Sequence, residues 1–282
     1  MSPESEHAEA RLSAFRESSL RRADDLGEGA IDGWPRLAGV VGILFASRSG
    51  STALSRHIGS TYEVGKVREA FNTPAIRSRM KRHSLEPFPA LSRFIEENAP
   101  SGWFVFKAGA PGIINAERLR FITAHHSRFF GALLLRRDLI AQAISIDTAR
   151  RTGQYHSTQE AEVELTADDF QPDGIWRRMQ TIDRIVRSLD AYLSLLDRPR
   201  CTLVYEDFKG GDYSVVSAAL SGLNIPVHAS HQPDEQVRPV TRSYTADWKQ
   251  KMQAALSPSQ SEMLASYERF VDDTRQRWPR FM

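Results

Sequence analysis

The stretch Leu37–Leu54, LAGVVGILFASRSGSTAL, sets the fold of this chain. Val40, Val41, Ile43, Leu44 and Phe45 form a continuous apolar run, the pattern of a strand covered on both faces in a parallel sheet. Ser47–Thr52 follows as a small polar loop, and Ala53–His57 reads as the start of a helix. Further strands are expected at Trp103–Lys107, Phe129–Leu135 and Cys201–Tyr205. Helical patterns lie between and after them, at Leu91–Asn98, Leu139–Arg150 and Ile175–Leu196. Strands alternating with helices of this length predict β-α-β units and a three-layer α/β sandwich, a central parallel sheet flanked by helices. Segment 156–174 is acidic and turn-rich and reads as a surface insertion. Near the C-terminus, Ser257 can cap a helix, with Pro258 at its first position and Gln260 completing a capping box. Met263, Leu264, Tyr267, Phe270 and Val271 then give that helix an apolar stripe. Residues 1–36, where Leu12, Phe15, Leu20 and Leu26 are too sparse for a core, read as an arm or surface helix. Residues 37–282 read as one domain.

Composition narrows the function. The chain has 282 residues, 37 Lys+Arg against 35 Asp+Glu, a net charge of +2, 41% hydrophobic and 26% charged residues. Those proportions exclude disorder, collagen and coiled coil. Near-neutral balance gives no global field for nucleic acid, so any anion site is local. A single cysteine, Cys201, excludes an intramolecular disulfide framework and a cysteine zinc site, and it reads as a small core residue. His125 and His126 are adjacent and cannot share a helical face, and His228 and His231 lack a third ligand nearby, so no metal is expected. The polar N-terminus, MSPESEHAEA, has no signal-peptide core, and the longest apolar stretch, Leu37–Ala46, is too short to span a bilayer. These features read as a cytoplasmic protein with no integral membrane segment.

The loop after the first strand carries the chemistry. Gly50 permits a tight turn, and the first amides of the following helix have no intrahelical partners. Those amides and the helix dipole make an anion site, to which Ser49, Ser51 and Thr52 add hydroxyls and Arg48 a fork of donors. Against the ATP-binding pattern G-x-x-x-x-G-K-[ST], Phe45 stands at the first Gly and Ser51 at the Lys, which points away from a magnesium triphosphate. A simple capped strand-to-helix turn is the alternative. A second element, Leu133–Asp138, ends a strand in Arg136 and Arg137, with Asp138 able to cap the next helix. Ser145 lies about 10 Å along that helix. Arg137 and Ser145 either grip one phosphate from two sides or are a surface arginine and a solvent-facing serine. Lys107 at its strand end either reaches the same site or snorkels. Glu206 and Asp207 read as structural, capping or orienting nearby arginines.

Together these stretches resemble the sulfotransferases that use 3′-phosphoadenosine-5′-phosphosulfate (PAPS), and among them the bacterial family typified by trehalose sulfotransferase. The resemblance rests on FASRSGSTALSRHI (45–58), GKVREAF (65–71), LLLRRDLIAQAISIDTARRTGQYHS (133–157) and LVYEDF (203–208). It implies a P-loop-NTPase-like sandwich in which Arg48, Ser49, Gly50, Ser51 and Thr52 hold the 5′-phosphosulfate. It implies that Arg137 and Ser145 hold the 3′-phosphate, with Arg238 or Arg242 nearby. By position Glu69 is the general base and Arg48 stabilises the leaving oxygen; Lys66 and Val67 stand where the family has Glu-Pro, so trehalose is not assumed as acceptor. Lys107, Gln154, Tyr155 and His156 are the candidates for the acceptor side, with a solvated loop as the alternative for Gln154, Tyr155 and His156. The implied reaction moves a sulfuryl group to a hydroxyl of a small carbohydrate-containing acceptor, a glycan or glycolipid, releasing adenosine 3′,5′-bisphosphate (PAP) without a metal. A homodimer is compatible with the family. A nucleotide kinase-like enzyme and an inactive nucleotide-binding module of the same fold are the alternatives.

Overall fold

The computed structural model describes residues 31–155, 159–229 and 243–281. Four strands, β1 (Gly39–Phe45), β2 (Trp103–Ala108), β3 (Phe129–Leu135) and β4 (Arg200–Val204), form one sheet in the order β2-β1-β3-β4. Every pairing is parallel. All residues of β1 are buried, as its unbroken apolar run requires.

Alternation along the strands divides the core in two, because successive side chains point to opposite faces. Val40 and Leu44 face one layer with Phe104, Phe106, Phe129 and Leu133. Val41, Ile43 and Phe45 face the other with Val105, Leu134 and Leu203. The first layer is covered by helices α2 (Thr73–His83), α3 (Pro87–Glu97), α4 (Ala110–Arg118), α5 (Phe121–Ala124), α6 (Leu139–Thr152) and α7 (Pro172–Leu195). Near the C-terminus α9 (Thr245–Ala255) and α10 (Pro258–Arg277) complete it. The second layer is covered by α1 (Ser51–Thr61) and α8 (Ser214–Leu220). This is the three-layer α/β sandwich expected from the alternating pattern.

Particular expectations are met at their residues. Asp138 caps α6 by accepting from the Ala141 amide. Ser257 and Gln260 form the capping box of α10, with Pro258 at its first turn, and Tyr267 and Val271 of the stripe are buried. Cys201 is buried in β4. Helices α2, α4, α5, α8 and α9 were not expected from the sequence. Trp34, within the stretch read as an arm, is already buried between Phe88 and Phe121. No helix among the described residues is long and apolar enough to cross a membrane.

The strand order places the reversal of the winding between β1 and β3. From β1 the chain crosses to β2 on one side, then returns past β1 to β3 on the other. In such sheets the crevice at the carboxyl ends of the two diverging strands is where ligands bind. Glu206 braces the second of these ends. Lying just after β4, its carboxylate accepts from the amides of Arg137 (2.9 Å) and Asp138 (3.2 Å). Tyr267 of α10 donates to the Arg136 carbonyl at 2.8 Å. Asp207 pairs with Arg275 at 3.0 Å, so this acidic pair has the structural role read for it. Replacing Glu206 by Ala leaves two amides at the start of α6 without their carboxylate. We expect a loss of about 2 kcal/mol in urea unfolding, the scale of hydrogen bonds to a charged group; an unchanged midpoint would remove Glu206 from the brace.

Candidate functional site

The loop 46–50 leaves β1 and turns back on itself. Arg48 has φ 64° and Gly50 φ 87°, two left-handed residues close together. Glycine is required at 50 on a second ground, since a Cβ there would lie 2.2 Å from the Tyr205 ring. Gly50 is the N-cap residue of α1, which has no side-chain cap and no acid in its first turn. The first amides of α1 therefore meet no intrahelical or carboxylate acceptor. Ser49 is 1% exposed, and its hydroxyl is buried without a hydrogen-bond partner. An unmet buried hydroxyl beside a helix N-terminus is chemically suited to an anion.

Hydrogen bonds tie this loop to the segment after β3. Arg48 donates through Nε to the Ser145 hydroxyl at 2.8 Å and through Nη1 to the Tyr155 carbonyl at 2.8 Å. Gln142 of α6 donates to the Ser47 carbonyl at 2.8 Å. Arg136 donates to the Arg48 carbonyl at 3.1 Å and stands over the Tyr205 ring. Burial, with Arg136 adding repulsion, pulls the Arg48 guanidinium below its ordinary value. Arg48 and Ser145 thus meet, although they come from different β-α units.

Arg137 is placed differently. Its guanidinium pairs with Asp272 of α10 at 2.6 Å, and this pair is roughly half exposed. The arginine that reaches the loop is Arg136. Arg238, Arg242 and His156 lie outside the described residues. Gln154 and the exposed Tyr155 follow α6, and the backbone of Tyr155 is what Arg48 holds.

A cavity of about 620 Å³ opens beside Thr52, at the start of α1. Lys107 and Glu69 both line it. Segment 65–71 brings Glu69 there because Val67, Ala70 and Phe71 are buried anchors, while Arg68 bridges to Phe106 in parallel fashion. Gly65, at φ +64°, passes so close to Asn98 that a Cβ would meet its carbonyl oxygen at 2.7 Å. The Lys107 amide donates to the Arg68 carbonyl at 3.0 Å, which locks this segment to the end of β2. Glu69 accepts from the Asn72 side-chain amide at 3.1 Å. Lys107 donates to the Thr52 hydroxyl at 3.4 Å. Burial lowers the Lys107 ammonium, Glu69 opposes that, and Arg56 and Arg68 add to it. Lys107 is thus turned into the site, not snorkelling out of it.

Arg136, Gln142 and Tyr205 were missed as site residues. The signal for Arg136 was its place at the same strand end as Arg137; nothing local marked Gln142 or Tyr205. Among the described residues no cluster of three or more His, Cys, Asp or Glu side chains could hold a metal.

No family model matches the chain, and no curated protein matches it. Among solved structures it is similar to the sulfotransferase domain from the Synechococcus PCC 7002 olefin synthase. That similarity has 12% identity and a TM-score of 0.42, over 86% of this chain and 98% of the other.

The loop geometry makes a direct test. Gly50→Ala forces a Cβ into a left-handed turn and against an aromatic ring, and we expect it to destabilise by about 1–3 kcal/mol. Tyr205→Ala in the same chain removes the overlap but not the backbone strain. The double variant should therefore cost less than the sum of the singles in thermal unfolding, and strict additivity would refute the contact.

Proposed function

We propose that the protein is a sulfotransferase that moves a sulfuryl group from PAPS to a hydroxyl acceptor. One observation carries the reading: Arg48, in the loop after β1 and two residues before the uncapped start of α1, meets Ser145, on the helix after β3, at 2.8 Å. A nucleotide with phosphates at both ends of its ribose suits two such junctions side by side. The unmet Ser49 hydroxyl and the absence of an acid in the first turn of α1 favour an anion there. Ser51, at the position where an ATP-binding loop has its lysine, disfavours a triphosphate.

In this reading Arg48, Ser49, Gly50, Ser51 and Thr52 hold the 5′-phosphosulfate. Arg137 and Ser145 take the 3′-phosphate, Arg137 exchanging the Asp272 carboxylate for the ligand. An exposed ion pair is worth only about 0–1 kcal/mol, so the exchange is cheap. Glu69 faces the acceptor hydroxyl in the cavity beside Thr52. The acceptor oxygen forms a bond to sulfur as the bond from sulfur to the bridging phosphate oxygen breaks. The electron pair leaves with the phosphate of PAP, and the hydroxyl proton passes to the Glu69 carboxylate. Arg48 and the α1 amides stabilise charge on the leaving oxygen, and Lys107 lies within reach of the transferred group. Positioning and electrostatics dominate such in-line transfers.

Three measurements test this. Thermal shifts with PAP, AMP and ATP-magnesium at equal concentration should favour PAP, because stabilisation by a bound ligand grows with the logarithm of its concentration over Kd; equal shifts for PAP and AMP would remove the 3′-phosphate clamp. Glu69→Gln should lower turnover by about 10²- to 10⁴-fold, the range for a positioned base, while leaving PAP binding intact. Full activity in that variant would end the role given to Glu69. Asp272→Asn releases Arg137 from its internal partner and should tighten PAP by about two- to fivefold, the equivalent of one exposed pair; unchanged or weaker binding would place Arg137 outside the nucleotide site.

A further inference from the structure

The cavity beside Glu69 is framed by more positive charge than one sulfuryl group needs. Arg56 from α1, Lys66 and Arg68 from segment 65–71, Arg79 from α2 and Lys107 from β2 line it, against the single carboxylate of Glu69. The whole chain carries only +2, so this is a local concentration of charge. Among the described residues none of the five forms an ion pair. Arginines elsewhere do find carboxylates: Arg187 pairs with Asp183, and Arg269 with Glu262. Arg79 is the most constrained. It donates to the Ala70 carbonyl at 2.8 Å and lies 3.7 Å over the Phe94 ring, which fixes its guanidinium at the wall. Burial, then repulsion from Arg68 and Arg82, lowers it to about 10.

The cations extend well past the donor loop. Arg56 stands one helical turn and Ser60 two turns beyond Thr52, so the lining of α1 runs about 12 Å away from the loop. Lys107 and Thr52 are at the inner end of this lining, and Arg48 is not part of it. The burial of segment 65–71 is what turns its charges outward: Val67, Ala70 and Phe71 go into the core, leaving Lys66 and Arg68 exposed. A concave site in which five cations face a single carboxylate concentrates ligands of negative charge.

We propose that the molecule taken by this cavity is itself an anion: a hydroxyl compound bearing two or more phosphate, sulfate or carboxylate groups. Arg56, Lys66 and Arg68 hold its outer charges, Arg79 an inner one, and its hydroxyl is turned to Glu69. Calling it the acceptor rests on the sulfuryl-transfer reading; the binding of an anion there does not.

The test is a calorimetric titration of the full chain with myo-inositol hexakisphosphate and, as the uncharged counterpart, myo-inositol, both with and without saturating PAP. We expect the hexakisphosphate to bind saturably with PAP present and myo-inositol to give no binding heat. Arg56→Gln, Lys66→Gln and Arg68→Gln together should weaken the hexakisphosphate by about tenfold or more, since charge-assisted bonds to phosphate are the strong ones. Lys209→Gln, Lys251→Gln and Arg269→Gln remove the same charge outside the cavity and should change it by less than about threefold. Arg48→Ala removes a side chain that lies outside the cavity lining and should leave hexakisphosphate binding intact in the titration without nucleotide. Absence of hexakisphosphate binding, equal losses in the two triple variants, or loss in Arg48→Ala each overturn the proposal. If PAP itself fails to bind, the transfer reading falls alone, because the titration without nucleotide still compares the two triple variants.

Discussion

The pairing of β1 with β3 is the constraint on which the rest depends. These strands are separated in sequence by all of β2, yet they run side by side from Val40 opposite Phe129 to Phe45 opposite Leu134. Parallel register makes both chains leave the sheet at the same height, so the loop at 46–50 and the turn at 136–138 have to share one crevice. A buried polar loop is tolerable only when its groups are met, and most are: Gln142 takes the Ser47 carbonyl, Arg136 takes that of Arg48, and Glu206 takes the amides that open α6. What is left unmet, the Ser49 hydroxyl and the first amides of α1, is concentrated at one place. That concentration is what makes the junction a site and not merely a corner of the fold.

Where the sequence could be read, local chemistry decided the structure. The continuous apolar run of β1 is a strand covered on both faces, and Asp138 and Ser257 cap helices through atoms within three residues of themselves. Helix α2 was hidden because TPAIRSRMKRH buries only Ile76. Helix α4 opens with Pro111 and Gly112, residues that ordinarily signal a turn, and is held by burial instead of propensity. Adjacent arginines gave no basis for choosing which one turns inward. That choice is made by long-range partners, the Arg48 carbonyl for Arg136 and Asp272 for Arg137.

The charge on the cavity was invisible for a related reason. Its five cations come from two helices, one strand and a connecting segment, so no basic run marks them in a chain that is nearly neutral overall. Folding assembles them while leaving acids such as Asp183, Asp272 and Glu262 to neutralise other arginines. Glu69 remains as the single negative group in their midst, held by Asn72.

The bridge between Arg68 and Phe106 has one more effect. Strand β2 is outermost in the sheet on its side, and its sequence, Trp-Phe-Val-Phe-Lys-Ala, is the kind of apolar, weakly charged strand that invites pairing with another molecule. Segment 65–71 lies along that open border and occupies it with the Arg68 bridge and the Lys107 amide. The piece of chain that carries Glu69 is therefore also a guard against intermolecular β-assembly. Changes that loosen it would first be noticed as insolubility.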